Sequence, residues 1–142
     1  MTLNELYQLA ESESVGVDNF RLNCVKSLSQ MDVDGDCHIA LDDSQIGTAA
    51  EEKIMLGHEL GHCLTGSFYN RYSPLGLRQK HEHRANKKAV YTLMPLNELM
   101  EAFESPWNGM YDIAEHFGAT EDFAYKAIGI YEADIREMMM KG

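Results

Sequence analysis

The sequence predicts an α+β fold: a small antiparallel sheet near the N-terminus, then a mostly helical body. Three observations carry that expectation. Cys37, Ile39 and Leu41 alternate with His38 and Ala40, the period of a half-buried strand. Asp34-Gly35 stands just before that run and is a strong hairpin-turn signal. From Thr48 onward, apolar residues at helical spacing are punctuated by capping residues, glycines and prolines.

Taken in order, residues 2–14 read as a short amphipathic helix. Thr2 and Glu5 have capping-box spacing, and Leu3, Leu6, Tyr7 and Ala10 fall at i, i+3, i+4 and i+7. Within residues 15–47, Val15, Val17, Phe20 and Leu22 are compatible with extended chain before the 37–41 strand. A second capping box, Thr48 with Glu51, opens a helix to about Gly66. A further helix is expected from about Leu77 to Met94, stopped by Pro95. Three more, at about 96–104, 109–117 and 120–139, are punctuated by Ser105-Pro106 and Gly118. No internal repeat or domain boundary is visible. We therefore expect residues 1–142 to form a single domain: 1–47 an N-terminal helix and sheet, 48–95 a helix pair, 96–142 a helical tail.

Composition excludes several classes of function. Among 142 residues, 23 acidic side chains face 12 basic ones, a formal charge of −11 and a pI near 4.8. Such a chain has no broad attraction for phosphate backbones or anionic lipid, so neither direct nucleic-acid binding nor a membrane role is expected. No apolar run approaches the roughly 18–20 residues of a membrane span. The N-terminus lacks the basic and apolar regions of a secretion signal. Cys24, Cys37 and Cys63 are odd in number and not closely spaced. They read as free thiols in a reduced, cytoplasmic protein.

The chemistry is concentrated in His58-Glu59-Leu60-Gly61-His62. This H-E-x-x-H lies in the helix capped by Thr48, where residues four apart share a face and both imidazoles reach one ion. Glu59 projects about 100° from His58. There it is badly placed to chelate with the pair but suited to act as general base on a water activated by the metal. A catalytic zinc needs a third protein ligand and an open position. Glu82, on the next helix, shares a face with Ala85, Asn86, Ala89 and Leu93. The small alanines would let a helix hairpin close. Asn86, one turn on, could accept a hydrogen bond from the far nitrogen of a liganding histidine. Cys63 abuts His62 and would be the fourth ligand of a closed structural site. It projects about 100° from His62 and reads instead as small core packing.

Together these residues resemble the ImmA/IrrE family of metallopeptidases of phages and mobile elements. The resemblance rests on H-E-L-G-H at 58–62, on Glu82-x-x-Ala85-Asn86-x-x-Ala89-x-x-Leu93-Met94-Pro95, and on the flanking Cys63-Leu64-Thr65-Gly66-Ser67-Phe68-Tyr69. It implies a gluzincin-like core with zinc held by His58, His62 and Glu82, and Glu59 catalytic. It further implies a regulatory endopeptidase whose protein substrate is a DNA-binding helix-turn-helix repressor. Where the family pattern has aspartate, this chain has Asn86, which can orient a histidine but brings no charge.

The remaining details of the reaction stay open at this level. Tyr69, Tyr72, His81, His83 and Arg84 are near enough in sequence to supply a second electrophile. Substrate is expected along the edge of the 37–42 strand. Asp32-Val33-Asp34-Gly35-Asp36 mimics a calcium loop, but its glycine stands at position four instead of six, so a solvated turn is expected. Residues 112–128 mimic a DNA-binding helix-turn-helix, yet the second helix opens Thr120-Glu121-Asp122 and would repel DNA. Met138-Met139-Met140 reads as a frayed helix end. Two rivals to the peptidase remain. One is a catalytically weak or inactive protein of this fold that regulates a partner by binding; the other is a direct DNA-binding regulator.

Overall fold

The computed structural model describes residues 1–70 and 72–141. Its elements are α1 (Leu3–Ser12), β1 (Gly16–Asn19), β2 (Ser27–Met31), β3 (Cys37–Leu41), α2 (Ala49–Thr65), α3 (Leu75–Leu93), α4 (Leu96–Glu104), α5 (Met110–His116) and α6 (Glu121–Lys141). Both expected N-caps form. The hydroxyls of Thr2 and Thr48 accept the amides of Glu5 at 3.1 Å and Glu51 at 3.0 Å, satisfying amides the first helical turn leaves unpaired. Gly66 ends α2 in the left-handed conformation, φ 64°, which only glycine adopts without strain. The third helix begins at Leu75 after Pro74, two residues earlier than expected.

The three-stranded sheet has the order β1-β3-β2. It is mixed, which corrects the expectation of an antiparallel sheet. β2 pairs antiparallel with β3, from Ser27 opposite Leu41 to Met31 opposite Cys37, whereas β1 runs parallel to β3. The reason is the segment after β1, which crosses to the far edge before the hairpin returns β3 to the middle. Buried Asp42 holds that crossing, accepting from the Leu22 amide at 2.8 Å. Gln45 accompanies it, donating to the carbonyls of Leu22 at 2.7 Å and Val25 at 3.1 Å. The hairpin itself is the solvated turn expected at 32–36. Asp32 accepts the amides of Asp34 and Asp36, and Gly35 takes φ 87°.

Cysteine chemistry is a second correction. Cys37 at the start of β3 and Cys63 on α2 form a disulfide across a Cα separation of 5.8 Å, a spacing within the range such bonds span. Cys63 is therefore neither a free core thiol nor a fourth metal ligand, and only Cys24 remains a free, exposed thiol among the described residues. The thiol-based reason for expecting a reducing compartment lapses with this pairing.

The core lies where α2 packs between the sheet and α3. Leu6, Ile39, Leu41, Leu56, Leu60, Val90, Leu93 and Met94 are all at most 2% exposed. At roughly 1.5–3 kcal/mol for each large side chain removed from water, this cluster is the main source of stability. The tail closes the opposite side. Phe123, Ala124, Ala127, Ile130 and Tyr131 of α6 face inward, so the segment that mimics a DNA-reading helix spends its apolar face on the core. Polar contacts also tie the tail to the body, among them Tyr91 and Lys87 of α3 to Asp134 of α6. The buried ammonium of Lys53 on α2 donates to the Phe117 carbonyl, and Tyr131 donates to the Met94 carbonyl at 2.7 Å. No described helix is long and apolar enough to cross a membrane.

Candidate metal centre

The crossing of α2 and α3 is set by small residues. A Cβ on Gly61 would lie 2.4 Å from the carbonyl oxygen of Ala85, so the two backbones touch there. That approach brings His58 and His62 of α2 up to Glu82 of α3. His58 Nε2 is 2.9 Å from Glu82 Oε2, and His62 Nε2 is 3.1 Å from Glu82 Oε1. One ligand atom from each of the three residues falls within 4.8 Å of the others. The three metal-ligand candidates read from the sequence are thus brought to one point.

The far ring nitrogens explain the orientation of both imidazoles. His58 Nδ1 lies 2.9 Å from Asn86 Oδ1, the contact expected of Asn86. His62 Nδ1 bonds the Ser67 carbonyl, a partner that side-chain motifs cannot reveal because it is backbone, delivered by the left-handed turn at Gly66. A carbonyl only accepts, so each Nδ1 carries a hydrogen and each Nε2 is the ring atom turned to Glu82. Two imidazoles that present Nε2, plus one carboxylate, are the donor set of a catalytic zinc. The residues present therefore fit a divalent ion.

Electrostatics around Glu82 point the same way. Burial pushes its carboxyl up, but the Tyr69 hydrogen bond and the adjacent His58 and His62 outweigh this and hold it below the ordinary range. Tyr69 donates to Glu82 Oε1 at 2.7 Å, and that bond, with burial, pushes the phenol up to about 12. Tyr69 therefore keeps its proton at neutral pH.

Glu59 is 6% exposed. Its two carboxylate oxygens accept hydroxyl hydrogen bonds from Ser27 and Ser29, each at 2.7 Å. Both serines lie on β2, for which the sequence analysis has no strand. A cleft of about 530 Å³ opens over His58, His62 and Glu82, walled by residues 25–29 on one side and by Phe68 and Tyr69 on the other.

Of the five candidate electrophiles, only Tyr69 lines this cleft. His83 and Arg84 lie on the far side of α3, lining a separate basic hollow with Lys80, Lys87 and Lys88. Tyr72 is 78% exposed. His81 Nδ1 is buried without a hydrogen-bond partner among the described residues, as is Arg78 Nε one turn before Glu82.

A family model described as the IrrE N-terminal-like domain, Peptidase_M78, matches residues 26–128. That span begins just before β2 and takes in His58, Glu59, His62, Glu82 and Asn86. No curated protein matches the chain.

Proposed function

The chain belongs to the Peptidase_M78 family, that of the IrrE N-terminal-like domain, and from this membership we propose that it is a zinc-dependent endopeptidase. The observation that carries the reading is the convergence of the Nε2 atoms of His58 and His62 and the Glu82 carboxylate on one point. His58, His62 and Glu82 would hold the ion. Bound there, zinc would lower the pKa of a water and polarise the substrate carbonyl.

The chain's own groups account for the remaining steps. Glu59 takes a proton from the attacking water and delivers it to the leaving amine. Tyr69 lines the cleft with its hydroxyl on Glu82 Oε1, from which it would turn to stabilise the developing oxyanion. The substrate strand cannot use β3 as expected, because β3 is central and paired on both sides. The free edge of β2 borders the cleft instead, and an extended peptide adds there by main-chain hydrogen bonds.

The substrate in this reading is a DNA-binding repressor of helix-turn-helix type, as the family resemblance implies. A formal charge of −11 suits a basic partner. Cleavage of such a repressor would place the protein in the cytoplasm.

The test is incubation of the zinc-loaded protein with the repressor encoded beside it, reading fragments by mass. Fragments should appear with zinc, and disappear with a chelator or with Glu59→Gln. A co-purifying but uncleaved repressor would instead support regulation by binding alone.

A further inference from the structure

The face of the sheet that packs on α2 is apolar at its centre and changes character at its edge. Ile39 and Leu41 of β3 are each 2% exposed on that face. Their partners across the ladder on β2 are Ser29 and Ser27. Directly opposite residues of an antiparallel pair share a face, so both hydroxyls hang from the edge strand toward α2. Between them, Leu28 points outward and is 38% exposed. An edge strand that turns two serines inward and a leucine outward inverts the pattern that core packing favours. The inversion needs a polar target beneath the strand, and Glu59 is that target.

The contact uses both oxygens, Oε2 from Ser27 and Oε1 from Ser29. One hydroxyl would leave the carboxylate free to spin about its terminal bond; two, one on each oxygen, fix its plane. Each carboxylate oxygen has a second acceptor site, so the grip leaves room for a water on the metal side. A hydroxyl also differs from an N–H in that it can reverse its role. It donates to the carboxylate and, when Glu59 carries a proton, it accepts. The same pair can therefore hold the side chain before and after a proton transfer.

We infer that Ser27 and Ser29 are positioning residues that hold the Glu59 carboxylate in register for proton transfer. They act through Glu59, the group they bond. The inference rests on the reading of Glu59 as the proton carrier, and it also predicts a physical state of Glu59 that is observable without turnover.

The experiment uses the full chain loaded with Zn²⁺ and labelled at the glutamate side-chain carboxyl carbon, with Glu59 assigned by the loss of its signal in Glu59→Gln. Wild type should show one sharp Glu59 signal. Ser27→Ala/Ser29→Ala should shift or broaden it, Ser27→Thr/Ser29→Thr should restore it, and zinc affinity by chelator competition should stay within about twofold in all three. On a quenched mixed-sequence peptide library, the alanine pair should lower kcat about 10- to 100-fold, the scale of a misplaced catalytic group, with KM little changed and with recovery in the threonine pair. An unmoved Glu59 signal in the alanine pair overturns the inference, and so does a parallel loss of zinc affinity. If wild type cleaves nothing, the peptidase reading falls, while the Glu59 signal still decides whether the serines hold the carboxylate.

Discussion

Gly61 and Ala85 meet backbone to backbone: a Cβ on the first would stand 2.4 Å from the carbonyl oxygen of the second. Neither partner is the flexible end of a side chain, so the helices themselves must part. Gly61→Ala should destabilise the protein by about 1–3 kcal/mol and weaken zinc binding, because Glu82 moves away with α3. Gly57→Ala is the matched control. Its Cβ meets the Leu93 side chain at 2.7 Å, which can swing aside, so its effect should be smaller on both counts. Calorimetry and chelator competition on the two variants give the comparison; equal effects would refute the backbone argument.

Asn86 supplies the acceptor that keeps the hydrogen of His58 on Nδ1. Asn86→Ala should lower zinc affinity about 10- to 100-fold, as loss of such a supporting partner commonly does. Asn86→Asp adds a negative charge behind the ligand and should raise the affinity above wild type. Titration against a chromophoric chelator reads both. An unchanged affinity in Asn86→Ala would mean that His58 is oriented by packing alone.

The Cys37–Cys63 bond closes a loop of 26 residues between β3 and α2. Constraining a loop of that size in the unfolded chain is worth about 3–4 kcal/mol in the chain-entropy account. Reductant should therefore lower the melting temperature of wild type, whereas Cys37→Ala/Cys63→Ala should melt lower from the start and ignore reductant. A reductant-insensitive wild type would show that the bond contributes nothing to stability.

Asp42 makes folding acid-sensitive. Hydrogen bonds from Gln45, Ser44 and the Leu22 amide hold its carboxyl far below the usual carboxylate range. A depressed folded value means that its stabilising effect is complete above the unfolded value of about 3.9 and is lost as pH falls through the folded one. Below about pH 4, the urea midpoint of wild type should drop more steeply than that of Asp42→Asn. Parallel curves would move the acid sensitivity to another carboxylate.

Legibility from sequence follows the range of the interaction. The capping boxes at Thr2 and Thr48 span three residues and are visible in any sequence window. His58, Glu59 and His62 are one turn of helix, and Glu82 with Asn86 are another, so both halves of the metal centre declare themselves locally. Their meeting depends on Gly61, Ala85 and Ala89, whose smallness can be read but whose contact cannot. β2 escapes notice because its inward positions are Ser27 and Ser29: a strand facing a polar site carries no apolar alternation. The parallel pairing of β1, the Cys37–Cys63 bond and the Ser67 carbonyl behind His62 depend on chain path alone, and no residue spacing encodes them.

Lys53 and Tyr131 have a consequence for cooperativity. Both metal-bearing helices have polar bonds to the tail, α2 through Lys53 to Phe117, and α3 through Tyr91 and Lys87 to Asp134 and through Met94 at its end to Tyr131. A fragment ending at Pro95 would keep every zinc ligand. It would lose Leu99, Ile113, Phe123 and Ile130 from the shared core and expose the apolar surface they cover, a penalty of the kind that unfolds proteins. The metal helices and the tail thus form one unfolding unit, and slow amide exchange should report the same opening free energy for α2 and for the inward face of α6.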